Sequence, residues 1–346
     1  MIAKFFKLVF IFLAALLWGL PSIGSNAQAK LTVATSPDEK ALIAALQSKD
    51  LRAITRVLKT GCNTNIINDL VTSTSALELA VFCPGDAAVR VFLNNGADPN
   101  ARIPYLGQTA LLTTARYGYP RIMTELLMKG ANPKVTDRLG DNLLICAVLG
   151  GNQAAIKLAM RYNKVNYQNS QKETALSKSI ACNRPAIVDL LLAHGAKPDV
   201  LGRYGMLPIH DAVLTCPVAI LNLLRHGARI DARSEDGYTP LMLAAANVNE
   251  SSVKILIKHG ADPSLTAPDG MNSLMLACAY RYDNDVVPSQ DWEQTIASIV
   301  KILAARTRLG LKARDGGTAL DIARREHHNL AAKVLEEMAA QRTTEP

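Results

Sequence analysis

A short opening of the type Thr-Ala-Leu or Thr-Pro-Leu recurs along this chain of 346 residues. Two stretches of apolar residues at helical spacing follow each opening, and most units then close with Gly-Ala. The eight openings are Ser75-Ala76-Leu77, Thr109-Ala110-Leu111, Asn142-Leu143-Leu144, Thr174-Ala175-Leu176, Leu207-Pro208-Ile209, Thr239-Pro240-Leu241, Asn272-Ser273-Leu274 and Thr318-Ala319-Leu320. Their third residues are separated by 34, 33, 32, 33, 32, 33 and 46 positions. A sustained period of this length indicates an array of stacked repeats.

The residue types within one unit predict a pair of short helices. Thr109 is a good N-cap, and the residue types that follow such caps, Ala or Pro, suit a first turn. The apolar residues recur at a spacing that places them on the inner sides of two helices: Leu111, Ala115, Ile122, Leu126 and Leu127. Gly130 supplies the left-handed backbone that ends the second helix. Because one such unit buries too little apolar surface to fold alone, only stacking completes the core.

The closings run in step with the openings, and together they resemble a known family. The closings are Gly96-Ala97-Asp98-Pro99-Asn100, Gly130-Ala131-Asn132-Pro133, Gly195-Ala196-Lys197-Pro198, Gly227-Ala228-Arg229 and Gly260-Ala261-Asp262-Pro263. The chain from about residue 38 to 340 resembles the ankyrin-repeat family. The resemblance rests on these closings, on Asp236-Gly237-Tyr238-Thr239-Pro240-Leu241, and on His210 in Pro-x-His-x-Ala. The resemblance implies an all-α solenoid with short β-turn connections. It also implies a concave face, formed by the opening turns and the first helices, that binds other proteins.

The repeat register divides residues 30–346 into about nine helix-turn-helix units. A cap unit covers residues 38–65, seven internal units begin near residues 72, 106, 139, 171, 204, 236 and 269, and the last unit covers residues 315–340. The step of 46 residues indicates about thirteen extra residues, most simply 281–293, which we expect to lengthen the link between the two helices of the penultimate unit. Thr307 stands where that unit should have its closing glycine, so Gly310 is the candidate end of a longer second helix.

The first 29 residues have the order of a secretory signal peptide. Lys4 and Lys7 precede an apolar stretch over residues 8–20, and Ala27-Gln28-Ala29 forms a small-x-small cleavage site. Thirteen apolar residues are fewer than the ~20 that span a bilayer, so an uncleaved anchor is the weaker alternative. We therefore expect cleavage after Ala29 and a periplasmic or secreted chain that has no membrane segment after signal removal.

The cysteines and histidines fit the repeat better than they fit a disulfide framework or a metal site. Only Cys182 and Cys216 fall at comparable helix-junction positions of adjacent units. Equivalent points there lie about 10 Å apart, beyond the ~7 Å limit for a bridge unless the shorter unit around Cys216 shifts them. His194, His226 and His259 each precede a closing glycine, at the C-terminal turn of a helix, where positive charge is favoured. Only His327-His328 looks exposed, and neither residue has a metal-ligand partner at the right spacing.

No catalytic, cofactor or nucleotide-binding motif occurs in the sequence. Without Lys4 and Lys7, the charge is 36 basic minus 30 acidic residues, or +6, with no basic run of five. This excess, together with an aromatic content of 5%, does not favour nucleic-acid binding. We expect a monomeric protein with no enzymatic activity, no cofactor and no bound metal.

We predict the partner-binding residues from positions on the concave face that the fold does not require. Tyr, Trp and Arg are favoured there because they dominate binding hot spots, although several of these side chains would also cover helix ends. The candidates are Tyr105, Arg116, Tyr117, Tyr119, Arg138, Arg203, Tyr204, Tyr238, Met271, Tyr280, Tyr282 and Trp292. Two functions follow: a periplasmic scaffold or accessory factor that binds a protein, or an inhibitor or immunity protein that blocks a periplasm-directed toxin or enzyme.

Overall fold

The computed structural model describes residues 32–67, 75–103, 106–280 and 290–344. The signal segment over residues 1–29 and two candidate contact residues, Tyr105 and Tyr282, lie outside these ranges.

The described residues form a series of nine helix pairs. The pairs are α1 (Pro37–Gln47) and α2 (Leu51–Leu58), α3 (Ala76–Val81) and α4 (Ala87–Asn94), α5 (Ala110–Arg116) and α6 (Pro120–Met128), α7 (Leu143–Gly150) and α8 (Gln153–Met160), α9 (Ala175–Ala181) and α10 (Pro185–Ala193), α11 (Pro208–Thr215) and α12 (Pro217–Arg225), α13 (Pro240–Ala246) and α14 (Glu250–Lys258), α15 (Ser273–Cys278) and α16 (Gln290–Ala304), and α17 (Ala319–Arg325) and α18 (Asn329–Thr344). Two short strands, β1 (Thr32–Val33) and β2 (Ile66–Ile67), pair in parallel beside the first helix pair. The predicted all-α solenoid is confirmed.

The opening residues begin the first helices as their chemistry predicts. The Thr109 hydroxyl accepts a hydrogen bond from the Leu112 amide at 3.4 Å, and the Asn142 side chain accepts one from the Ile145 amide at 3.0 Å. Such a cap contributes about 1 kcal/mol. Leu207 cannot cap with its side chain, and His210 compensates because its Nδ1 accepts the Leu207 amide at 3.2 Å.

Stacking of neighbouring pairs builds one continuous core. Each first helix from α1 to α15 contacts the first helix of the next pair. Among the second helices, contacts join α2 to α4, α6 to α8, and each neighbouring pair from α10 to α18. Of the predicted core residues in one unit, Leu111, Ala115, Ile122 and Leu126 are buried, whereas Leu127 is only half-buried. Full burial of one large apolar side chain stabilises the fold by about 1.5–3 kcal/mol, so packing between units outweighs the caps.

Polar side chains also join neighbouring units where the second helices end. The Asn100 side chain accepts from the Asn132 amide at 2.7 Å and donates to the Gly130 carbonyl at 3.0 Å. Lys134 stands at the place of Asn100 one unit later, and its Nζ donates to the carbonyl of Tyr162 in the following unit. The closing turns therefore carry a row of bonds between units that the sequence analysis did not identify.

The extra residues of the penultimate unit are placed differently from the prediction. Helix α16 begins at Gln290, so residues 290–293 form its first turn and do not lengthen the link; residues 281–289 lie outside the described ranges. Helix α16 ends at Ala304, so Gly310 does not end it. Thr307 is buried in place of the closing glycine, and its hydroxyl donates to the Leu303 carbonyl at 2.8 Å.

The cysteines form no disulfide bonds, and one histidine of the last pair is buried. All six cysteines are free thiols in the structure, including Cys182 and Cys216. The prediction of an exposed His327-His328 pair is wrong for His328, which is 1% exposed and donates from Nε2 to the Tyr280 carbonyl at 2.7 Å. The sequence analysis missed this contact because the two residues are 48 positions apart in the chain.

Candidate partner-binding face

The opening turns of successive units are joined by backbone hydrogen bonds into a row at the edge of the concave face. The bonds run from the amide of Arg138 to Leu106, of Ser170 to Leu139, of Glu235 to Gly205 and of Arg314 to Asp269, at 2.9–3.2 Å. Because this row fixes the backbone, it presents the turn side chains at set positions. Leu106 and Leu139 are each 52% exposed on adjacent turns, and Arg138 is exposed beside them.

Arg116 lies in an ion-pair network within the array. Its guanidinium donates to the Asp137 carboxylate at 2.9 Å, lies 3.6 Å from that of Asp141, and contacts the Cys146 sulfur at 3.5 Å. Burial raises the pKa of the Cys146 thiol to about 12, so this sulfur is a thiol at neutral pH. Burial also raises the pKa of Asp137, with the Asp141 charge as the second cause. Arg116 therefore balances the charge of two carboxylates. Because its guanidinium is engaged in this structural role, it has fewer free N–H groups with which to bind a partner.

The network continues through the opening turn before α9 and onto the first helices α9 and α11. Asn169 donates to Asp141 at 2.7 Å and to Glu173 at 3.0 Å, and Lys178 pairs with Glu173 at 2.6 Å. Asp211 follows on α11, where burial raises the pKa of its carboxyl to about 7 and the Glu173 charge adds to the effect. In this set of neighbouring side chains, the four carboxyl groups of Asp137, Asp141, Glu173 and Asp211 outnumber the two cations, Arg116 and Lys178.

A small apolar cluster lies on the later units. Met242, Ala267 and Leu276 form a small cluster separate from the main core, and Tyr238 and Met271 pack against it half-buried. The Tyr238 hydroxyl lies 3.5 Å from the Asp269 carboxylate. Both candidates therefore hold neighbouring turns together as well as facing the surface.

The turn before α11 differs from the other opening turns. Among the described residues of those turns, each turn has a single residue with positive φ, usually glycine, whereas here Tyr204 (φ 58°) and Gly205 (φ 65°) both have it. The left-handed region costs a residue with a Cβ about 1–2 kcal/mol. Tyr204 is nevertheless 45% exposed, with the Arg203 guanidinium 4.7 Å from the centre of its ring. The turn thus combines an unfavourable backbone conformation with an exposed aromatic side chain.

Two aromatic groups lie at the ends of first helices. Tyr117, 55% exposed, packs edge-on against Phe82 at 4.8 Å and stacks with Tyr119 at 6.2 Å between ring centres. At the other end of the array, Tyr280 and Trp292 stack at 5.5 Å with their planes 9° apart. Trp292 is 41% exposed, and it lies on α16 and not in the link.

A family model that describes three copies of the ankyrin repeat matches residues 111–202 and 209–287. The chain belongs to the ankyrin-repeat family. Its solved structural neighbours include the ankyrin-repeat domain of Bcl-3, a member of the IκB family, at 26% identity and a TM-score of 0.51, covering 59% of this chain and 93% of that one. The human ASB11 ankyrin-repeat domain has a TM-score of 0.56 at 22% identity, covering 67% of this chain and 98% of that one, and shows the fold alone.

The curated relatives match this chain over a small part of their own length. The phosphocholine transferase AnkX of Legionella pneumophila is 25% identical over 151 residues, which are 42% of this chain and 16% of that protein. The NF-κB p105 subunit of Gallus gallus is 28% identical over 147 residues, which are 40% of this chain and 15% of that subunit. The chain thus spans about one sixth of the length of these relatives. Ankyrin repeats generally bind other proteins and are generally not catalytic.

Nothing in the described ranges of this ankyrin array forms a metal-binding cluster of three or more His, Cys, Asp or Glu residues, and none of their helices is long and apolar enough to cross a membrane. The sequence analysis missed Leu106, Leu139, Glu173 and Asp211, because it considered aromatic residues and Arg and gave no weight to the acidic groups. Asp211 was visible in the sequence directly after His210, at a position where no other unit has an acidic residue.

Proposed function

We propose that this protein is a non-catalytic scaffold or accessory factor that binds another protein through its concave face in the periplasm. The observation that carries the proposal is Tyr204, a strained and exposed tyrosine on the turn before α11. Residues in the left-handed region cluster at functional sites, and a glycine or asparagine at this position would relieve the strain. The arginine stacked on Tyr204 provides a second side chain that is common in binding hot spots.

The periplasmic location rests on the amino-terminal sequence. The positive, apolar and small-residue segments over residues 1–29 support export and cleavage. Cell fractionation and the mass of the purified protein test this part of the proposal. A periplasmic chain that begins at Lys30 is the expected result, and an intact chain in the cytoplasmic fraction would contradict it.

Partner capture tests the binding face. Tagged wild-type protein and the variants Tyr204→Ala and Trp292→Ala are used to capture proteins from periplasmic extract. Removing a hot-spot aromatic side chain should weaken binding by about 30-fold or more. Met128→Ala is the matched control, because Met128 is a large apolar residue that is 68% exposed on the second helix α6. Unchanged capture by both aromatic variants would rule out this face.

A further inference from the structure

At the junction between the two helices of a unit, a side chain or the backbone contacts the carbonyl groups at the end of the preceding unit's first helix. A helix ends with carbonyl groups that find no partner within the helix. In the junction of α9 and α10, Arg184 reaches back to the preceding unit and donates from Nη1 to the carbonyls of Val148 at 2.5 Å and Leu149 at 2.9 Å. Its guanidinium lies against Gly151, where an added Cβ would be 2.5 Å from Nη1. The chain thus contains a binding position for a guanidinium group between two units, which we call the seat.

Other units fill the same seat with other donors. Arg184, Asn249 and His328 all stand eight residues after the third residue of their opening. Asn249 donates at 2.8 Å to the carbonyl of Val213, which is the counterpart of Val148. His328 donates at 2.7 Å to the carbonyl of Tyr280, two residues beyond the corresponding position. Between α5 and α7, the backbone of Gly150 closes the seam, because a Cβ there would lie 2.3 Å from the Ala115 carbonyl.

The seam between the α3–α4 unit and the α5–α6 unit is open. Tyr119 stands at the position of Arg184, but it is 38% exposed and stacks on Tyr117. Within the described residues, no hydrogen bond joins Tyr119 to α3, and none reaches the Val81 carbonyl, which corresponds to that of Val148. A pocket of about 340 Å³ remains, lined by Val81, Cys83, Gly85, Gly118, Tyr119 and Ile122.

We propose that this pocket receives an arginine side chain of a partner protein. The chain itself shows the fit, since Arg184 occupies the equivalent seat two units later and satisfies the equivalent carbonyl. Tyr119 lines the pocket, and its ring adds a surface on which a guanidinium stacks favourably.

The charges at the rim of the pocket permit a cation to enter. Asp86 and Arg121 line it, and Arg90 is paired with Asp86 at 2.8 Å and with Glu125 at 3.0 Å. These two acidic and two basic residues balance, and the Lys49 charge acts on Cys83 in the lining. Charge at the rim therefore gives an entering arginine no net attraction. Its affinity then depends on the carbonyl acceptors and the aromatic ring.

The inference rests on the proposed function only in assuming that the arginine belongs to a partner protein. The test uses a small arginine derivative, so that the pocket assignment and the proposed function can fail separately. The protein is labelled with 3-fluorotyrosine, and its ¹⁹F spectrum is titrated with N-acetyl-L-arginine amide. The Tyr117 and Tyr119 signals should shift with a dissociation constant on the order of millimolar. The Tyr204 signal is the internal control and should not move. N-acetyl-L-lysine amide should bind at least tenfold more weakly, because it lacks the planar fork of donors.

Two variants complete the test. Tyr119→Arg should fill the pocket from within, and the Tyr117 response to the arginine amide should fall at least tenfold. Tyr119→Ala keeps the pocket open but removes the ring, so it should weaken the response several-fold without abolishing it. Equal binding of the two amides, no shift of Tyr117 in the wild type, or an undiminished response in Tyr119→Arg would overturn the proposal. Partner capture that fails with the Tyr204 variant while the amide still binds would leave the pocket assignment intact.

Discussion

His210→Ala should cause a large loss of stability by weakening one interface between units. His210 is fully buried on α11, and its Nδ1 accepts the Leu207 amide at 3.2 Å. The other ring nitrogen, Nε2, therefore carries the proton and donates to the carbonyls of Ala232 and Tyr238, each at 3.1 Å. One imidazole thus caps its own helix and binds the start of the next unit.

The magnitude follows from the groups that alanine would leave without a partner. The Tyr238 carbonyl still accepts from the Ser234 amide at 2.9 Å, whereas the Leu207 amide and the Ala232 carbonyl lose the imidazole bonds described above. Each buried polar group left unsatisfied costs about 1–3 kcal/mol, and water entering the vacated space recovers part of this. We expect the free energy of unfolding to fall by about 3 kcal/mol.

His210→Gln is the matched control. The third residue of a first helix can bond the N-cap amide, as Glu78 does to Ser75 at 3.4 Å and Asp321 does to Thr318 at 2.9 Å. Gln can make this bond but does not reproduce both bonds to the next unit. Its cost should be about 1 kcal/mol, the net value of one hydrogen bond.

Urea unfolding measures the effect with two probes. Circular dichroism reports all helices, and fluorescence of Trp292 reports the penultimate unit near the carboxyl-terminal end. In a repeat array each unit contacts only its neighbours, so a weakened interface should separate the two transitions. A change below about 0.5 kcal/mol for His210→Ala, or an equal cost for the Gln and Ala variants, would refute the reasoning.

The same substitution gives a test by pH. Burial lowers the pKa of His210 in the folded protein. An unfolded histidine has a pKa of about 6.5, so below that pH the unfolded chain binds a proton that the folded chain resists. The stability that the neutral imidazole provides is then lost as the pH falls below about 6.5. The difference between wild type and His210→Ala should be smaller at pH 5 than at pH 8.

Three further substitutions test other features of the fold. Tyr204→Asn should stabilise the protein by about 1 kcal/mol in urea unfolding, because asparagine tolerates positive φ, and it should weaken partner capture; a loss of stability would show that the turn is not strained. Asp211→Asn should raise the free energy of unfolding at pH 8 by about 1 kcal/mol after solvent screening, and it should have almost no effect at pH 4. The reason is that a pKa raised to about 7 makes ionisation of Asp211 unfavourable in the folded state. Equal effects at both pH values would contradict this. Gly150→Ala, which would ordinarily stabilise a helix, should cost several kcal/mol because its Cβ would meet the Ala115 carbonyl at 2.3 Å. Gly310→Ala is the control for that variant, because nothing lies within 4 Å of its added Cβ, and it should be nearly neutral in thermal unfolding.

The features that the sequence predicted well are local ones. A threonine or asparagine N-cap, the first-turn proline and the closing glycine act within a few residues of themselves, so the openings and most helix ends could be placed. His210 was also recognised as part of the family's Pro-x-His-x-Ala motif, and the structure shows that it joins two neighbouring openings. The period then determined how the units stack.

The features that the sequence did not predict join residues that are distant in the chain. Arg116 meets Asp137 and Asp141 across units, and Tyr204 has its unusual φ only in the context of its turn. The step of 46 residues showed that something is inserted, but not that its last residues extend a helix. Tyr119 looked like an ordinary contact candidate, and only the cavity beside it showed its significance.

The principal helix contacts join units that are adjacent in the sequence. A force that pulls on the two ends of such an array therefore acts on every seam in series, and the least tightly bound seam is expected to open first. The unfilled junction beside Tyr119 marks the place, so the amino-terminal units should detach under tension while the later ones hold. A partner that fills this junction would also raise the mechanical strength of the whole array.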